Sequence, residues 1–154
     1  MNSIGLNKEK AVELSNQLND LLANYQIFYM NVRGFHWNIK GNKFFELHVK
    51  FEELYTDLKI KIDEIAERVL TLGETPVHSF SEYLAQSEIA PVTNTSDSDG
   101  TVSSVLDSFK TVIMKQRAIL DASGEADDEG TNSLMSDYIS EQEKLVWMYS
   151  AYQG

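Results

Sequence analysis

Between Phe45 and Leu72 the chain contains neither glycine nor proline. Leu47, Phe51, Leu54, Leu58, Ile62, Ile65, Val69 and Leu72 recur there at intervals of three and four. At about 100° per residue they form one apolar stripe. The segment therefore predicts a long amphipathic helix that needs other helices against it. Glu46, Lys50, Glu53, Asp57, Lys61, Glu64 and Arg68 fall on the far side, which reads as a solvated face. His48, Glu52, Asp63 and Glu67 share an arc of about 100° beside the stripe, where a second helix would cover them.

That helix imposes a distance. His48 and Asp63 lie roughly 22 Å apart along it, whereas metal ligands sit at only about 2 Å from their ion. No single ion reaches both in one chain. Asp63 and Glu67, at i and i+4, share one face and can share an ion. His36 and His48 meet if the chain turns between them, and Asn38 to Asn42, with Gly41, supplies turn-forming residues. Two imidazoles and two carboxylates suit a redox-active divalent ion such as iron, although zinc, manganese or cobalt fit the same donors. One arrangement unites all four: the helix packs antiparallel on its own copy about a two-fold axis near Tyr55 or Thr56. A self-complementary contact of this kind makes two equivalent sites, with histidines from one chain and carboxylates from its mate. Each residue also has a plainer role open to it, since histidines beside an apolar stripe often only pack and acids at i, i+4 are often only solvated.

The remaining chain predicts an all-α fold in a single domain spanning residues 1–154. A first helix runs from an Asn7 cap to near Arg33, with Leu14, Leu18, Leu21, Tyr25, Phe28 and Val32 inward. The second stops near Gly73, where Pro76 enforces the exit. A long connection from Glu74 to about Asp99 includes a short helix over Ser81 to Ser87, and such a crossover suits a ferritin-like four-helix bundle. A third long helix, capped by Ser98 or Asp99, reaches about Ala122. A fourth spans about Asp127 to Tyr149, with Leu134, Tyr138, Leu145 and Met148 facing inward. There is no cysteine, so thiolate chemistry is excluded. No apolar run suits a membrane span and no secretory pattern is present, so a cytoplasmic location is expected.

The stretch His36-Trp37-Asn38, with Gly41, Phe44, Leu47-His48, Phe51-Glu52, Tyr55, Asp63, Ala66-Glu67-Arg68 and Leu72-Gly73, closely resembles the Dps family, the miniferritins. The match is densest from about Phe35 to Pro76, and weaker similarity reaches Lys144-Leu145-Val146-Trp147. The resemblance implies a hollow dodecamer built from two-fold dimers. It implies intersubunit ferroxidase centres, with one or two irons on His36, His48, Asp63 and Glu67. In such proteins ferrous iron is oxidised, typically by hydrogen peroxide, and stored as ferric mineral, which protects against oxidative damage. The position of Glu52 is often Asp in relatives, so its longer arm changes an outer or second-ion contact. Trp37, next to a ligand, is implied as a radical quencher by one-electron transfer, or as an aromatic that packs at the interface.

After Arg117 the chain carries eight acids and one base, Lys144. In the family this region lines three-fold pores, and clustered acids in a channel concentrate cations. Asp128 is the first expectation for an entry acid and Asp121 the second. The net charge of −11, from 13 basic and 24 acidic residues, opposes DNA binding, which relies on Lys and Arg neutralising phosphates. Neither Met1 to Leu6 nor the Tyr152-Gln153-Gly154 ending supplies a basic tail, so no DNA binding is expected despite the family name. The competing readings are a DNA-compacting protein and a structural cage that oxidises little iron. Histidine ligation further requires neutral imidazole, so iron oxidation should fall between neutral pH and about pH 5.

Overall fold

The computed structural model describes all residues 1–154 and contains five helices and no strand. They are α1 (Lys8–Asn38), α2 (Phe44–Thr71), α3 (Phe80–Gln86), α4 (Ser98–Glu125) and α5 (Glu129–Gln153). The four long helices form a bundle, and α3 packs on α1 within the crossover between α2 and α4. No helix is long and apolar enough to cross a membrane.

Helix starts follow local chemistry. The side chains of Asn7, Asp97 and Asp128 accept from the backbone N–H of Lys10, Gly100 and Thr131, satisfying donors that a first helical turn leaves free. The cap of α4 is thus Asp97, one residue before Ser98. α1 continues past Arg33 and through Gly34 to Asn38, because packing outweighs the roughly 1 kcal/mol that one interior glycine costs. The turn between α1 and α2 depends on Gly41, whose φ of +109° disfavours a side chain.

The crossover has little regular structure, yet its backbone is not left unpaired. Three asparagines on α1 bind it in order. Asn19 accepts from the Val77 N–H and donates to the Thr75 carbonyl. Asn24 accepts from the Glu88 and Ile89 N–H groups and the Ser87 hydroxyl. Asn31 accepts from the Val92 N–H and donates to the Ala90 carbonyl. Finally the Lys40 N–H donates to the Ser96 carbonyl, bringing the start of α4 beside the α1–α2 turn. α1 thereby acts as a rail along which the crossover returns.

The core contains the expected α1 stripe and most of the α2 stripe, with Phe28 edge-on to Phe109 at 5.2 Å and Phe35 near Phe51 at 5.9 Å. Two expectations need correction. Lys61 is 3 % exposed rather than solvated. Its ammonium donates to Asp57 and Glu141 and lies 5.1 Å from the Tyr138 ring centre. Burial alone would lower its pKa, but the hydrogen bonds it donates to Asp57 and Glu141 prevail and raise it. The face of α2 assigned to water is in part the α2–α5 seam. On α5, Met148 is exposed, while Met135, Tyr138, Gln142 and Tyr149 are buried. A polar residue on the inner face displaced the apolar pattern.

Gln142 belongs to a closed ring at the bundle centre. The Tyr25 hydroxyl donates to Gln116 Oε1, Gln116 Nε2 donates to Gln142 Oε1, and Gln142 Nε2 donates back to the Tyr25 oxygen. Each bond uses one donor and one acceptor, so the ring is uncharged and satisfied where an unpaired polar group would be costly.

Burial pushes the Tyr25, Tyr138 and Tyr149 hydroxyls well above the ordinary tyrosine range. They stay neutral when folded, whereas in the unfolded chain they ionise near pH ~10. A raised folded pKa of an acid costs nothing below the unfolded value and removes stability above it. Stability should be level between about pH 7 and 9 and fall above about pH 10; a chemical-unfolding midpoint that rises in alkali contradicts this. Separately, Asn24→Ala strands the Glu88 and Ile89 N–H groups and should cost about 2–3 kcal/mol. Urea unfolding would show that loss as a lower midpoint at constant slope, and an unchanged midpoint would contradict the rail.

Candidate metal centre

The turn at Gly41 brings His36, near the end of α1, against His48, one turn into α2. Their rings stack at 3.8 Å and 12°. His36 Nδ1 is 2.6 Å from the His48 carbonyl oxygen, and His48 Nδ1 is 2.7 Å from the His36 carbonyl oxygen. A carbonyl only accepts, so each Nδ1 must carry the proton. In the neutral rings both Nε2 atoms then hold a free lone pair, which is the arrangement a metal-binding histidine requires. Phe44 stacks on the other side of His48 at 4.9 Å, and Tyr55 meets His36 edge-on at 5.4 Å.

Glu52, one turn beyond His48, places Oε1 3.9 Å from His36 Nε2. That is too long for a hydrogen bond and close to the sum of two coordination bonds of about 2.1 Å. The longer glutamate arm therefore suffices to face the lone pair. Asp63 and Glu67 lie elsewhere: both are exposed, about four turns further along unbroken α2. No group of three His, Asp or Glu side chains in one chain is placed to hold an ion. The bundle interior, where other ferritin-like proteins place paired carboxylates and Glu-x-x-His motifs, is occupied here by the neutral Tyr25–Gln116–Gln142 ring.

Trp37 is 58 % exposed and carries the Arg33 guanidinium over its ring at 4.8 Å. The same guanidinium lies 5.5 Å from the Tyr29 ring and 5.6 Å from that of Tyr55. Sequence reasoning passed over Arg33. The available signal was Tyr29, Arg33 and Trp37 at successive four-residue steps on one helix face.

The acidic end separates into two kinds of carboxylate. Asp121 is exposed on α4. Asp128 is 2 % exposed, accepts from the Thr131 N–H and hydroxyl, and pairs with Arg68 Nη2 at 2.6 Å. As a buried, neutralised helix cap it is not a free entry acid, which corrects its first place in the sequence reading. Arg68 also donates from Nε to Thr131, and a Cβ on Gly130 would lie 2.7 Å from the guanidinium. The glycine makes room for this α2-to-α5 clamp.

Comparison with known proteins gives the arrangement a family. The ferritin-like domain model matches residues 15–154. The chain is 46 % identical over 148 residues to the DNA protection during starvation protein of Porphyromonas gingivalis, covering 96 % of this chain and 93 % of that one. Among solved structures, the Dps protein of Vibrio cholerae O1, described as a member of a broad superfamily of ferritin-like diiron-carboxylate proteins, matches with a TM-score of 0.99 and 55 % identity. That match covers 100 % of this chain and 97 % of the other. The Dps protein of Bacillus brevis matches with a TM-score of 0.91 and 35 % identity over 95 % of this chain and 98 % of its own. The helical bundle and these matches together place the chain in the ferritin-like family, among its Dps proteins.

Proposed function

We propose that this protein oxidises ferrous iron, with hydrogen peroxide as the preferred oxidant, at sites completed by two protomers, and stores the ferric product inside a closed shell. The observation that carries the proposal is the reciprocal Nδ1–carbonyl pairing of His36 and His48, which leaves both Nε2 atoms as free donors. Two carboxylates on the same helix, too distant for the same ion, point to a second copy packed antiparallel on α2. His36 and His48 of one chain then face Asp63 and Glu67 of the other, and Glu52 supplies an outer or second-ion contact. A dodecamer of such dimers, as the resemblance implies, encloses the mineral.

Chemically the chain holds and orients, while iron supplies the electrons. Asp121 and its acidic neighbours draw ferrous ions to the shell. Neutral imidazole and ionised carboxylate then bind a pair of ions. Each ion gives one electron, and the O–O bond of peroxide breaks to two hydroxides. Supplying both electrons from iron avoids release of hydroxyl radical. Ferric product nucleates on inward-facing carboxylates.

The relatives' name raises DNA protection as a second reading. A net charge of −11 disfavours direct phosphate contact, so protection would act through iron and peroxide rather than through coating DNA.

In the His36→Ala/His48→Ala double variant, peroxide-dependent ferrous oxidation should fall at least about 100-fold, while light scattering still reports an assembled shell. Stopped-flow absorbance of the ferric product after anaerobic ferrous loading reads the rate. Wild-type kinetics in an assembled double variant would reject the histidine site.

A further inference from the structure

Phe44 is the first residue of α2, and the helix begins there without a side-chain cap. The cap position belongs to Lys43, whose ammonium carries donors only and cannot accept from the N–H groups of the first turn. That ammonium instead lies 4.7 Å from the Tyr152 ring centre. An uncapped first turn is prone to fray, yet His48 stands only one turn further on. Phe44 and His48, at i and i+4, share one face of the helix. Their rings lie 4.9 Å apart at 18°, and the rings of His48 and His36 lie 3.8 Å apart at 12°. His48 is therefore the middle of three nearly parallel rings. Phe45 meets Phe44 edge-on at 5.3 Å, and Phe44 packs on the bundle core. All of these contacts lie within one chain.

We infer that Phe44 is a positioning residue: it holds the His48 ring in the plane, and the first turn of α2 in the place, that the histidine pair requires. A single hydrogen bond fixes a point rather than a plane. The bond from His48 Nδ1 to the His36 carbonyl leaves the ring free to rock about it. A flat ring against each face removes that freedom, because stacked aromatic pairs favour parallel, offset planes. The turn matters as well, since the His48 carbonyl accepts from His36 Nδ1. Were the turn to fray, His36 would lose the acceptor that keeps its proton on Nδ1. Its Nε2 lone pair would then no longer be reserved for a ligand. Phe44 thus acts on both histidines while stacking on one. A leucine in its place would still pack on the core but would present no flat face to His48.

The inference rests on the proposed role of the pair as metal donors, but its first readout needs no metal. The chain contains three histidines, so nitrogen NMR of the metal-free shell, labelled at histidine, gives few ring signals. At about pH 8, where imidazole is neutral, the wild type should show His36 and His48 each protonated on Nδ1 alone. Phe44→Leu should give mixed tautomers at both, and Phe44→Tyr, which keeps the flat ring, should retain the wild-type spectrum. The second readout is anaerobic cobalt(II) titration of the same shells, which involves no oxidation. Phe44→Leu should weaken cobalt binding about tenfold, and Phe44→Tyr should not. Phe44→Met replaces Phe44→Leu if that variant fails to assemble. Single tautomers at both histidines in the variant without a ring, or an equal loss in Phe44→Tyr, overturns the inference. Wild-type shells that take up no cobalt would count against the metal reading, while the tautomers still decide the role of Phe44.

Discussion

A helix cannot bring its fifth and twentieth residues to one ion, and α2 runs unbroken from Phe44 through both His48 and Asp63 to Thr71. The proposed sharing of each site between two chains follows from that rigidity. It separates two donor groups by about four turns. It also fixes where a second copy must lie if the groups are to work together. The corner at Gly41 does the complementary task by folding His36 back onto His48, and the two carbonyl bonds then set the tautomers. The stacked histidine pair is built by backbone geometry within one chain, so the proposed metal would meet it already formed. A ligand held this way would need little reorganisation to bind.

The bundle supports this division of labour by keeping charge off its central axis. Its centre is the neutral Tyr25–Gln116–Gln142 ring, and its buried charges sit on seams where each has a partner. Lys61 lies between Asp57 and Glu141, and Arg68 faces Asp128. Removing one member of such a pair would leave an uncompensated buried charge. These clamps join α2 to α5 and to the turn before it, so the helix carrying Asp63 and Glu67 is held at both seams. Such rigidity is what the proposed intersubunit site would need, since each protomer would present its half of the ligands without adjustment.

Much of this was legible in the sequence. The α2 stripe, its freedom from breakers, the turn at Gly41, the crossover helix and the meeting of the two histidines all depend on neighbours within a few turns. What escaped was the burial of polar groups. Lys61 sits at i+4 from Asp57 and so looks like an ordinary surface pair; Glu141, 80 residues away, is what makes the pair internal. Asp128 looks like one acid among several until Arg68, 60 residues earlier, is seen to reach it. The asparagines of α1 read as mild helix breakers until the crossover lies along them. Arg33 reads as an end-of-helix base until Trp37, Tyr29 and Tyr55 are seen around it. In each case the missing information was a partner distant in sequence, which periodicity does not report.

The central claim is that two chains share each site, and mixed assembly tests it most directly. One chain carries His36→Ala and His48→Ala, the other Asp63→Asn and Glu67→Gln. Each alone should be inactive. If the chains are unfolded together and reassembled at random, half the dimers are mixed, and each mixed dimer has one wholly wild-type site and one wholly defective site. About a quarter of wild-type peroxide-dependent iron oxidation should return. No return of activity in verified mixed shells would contradict the account.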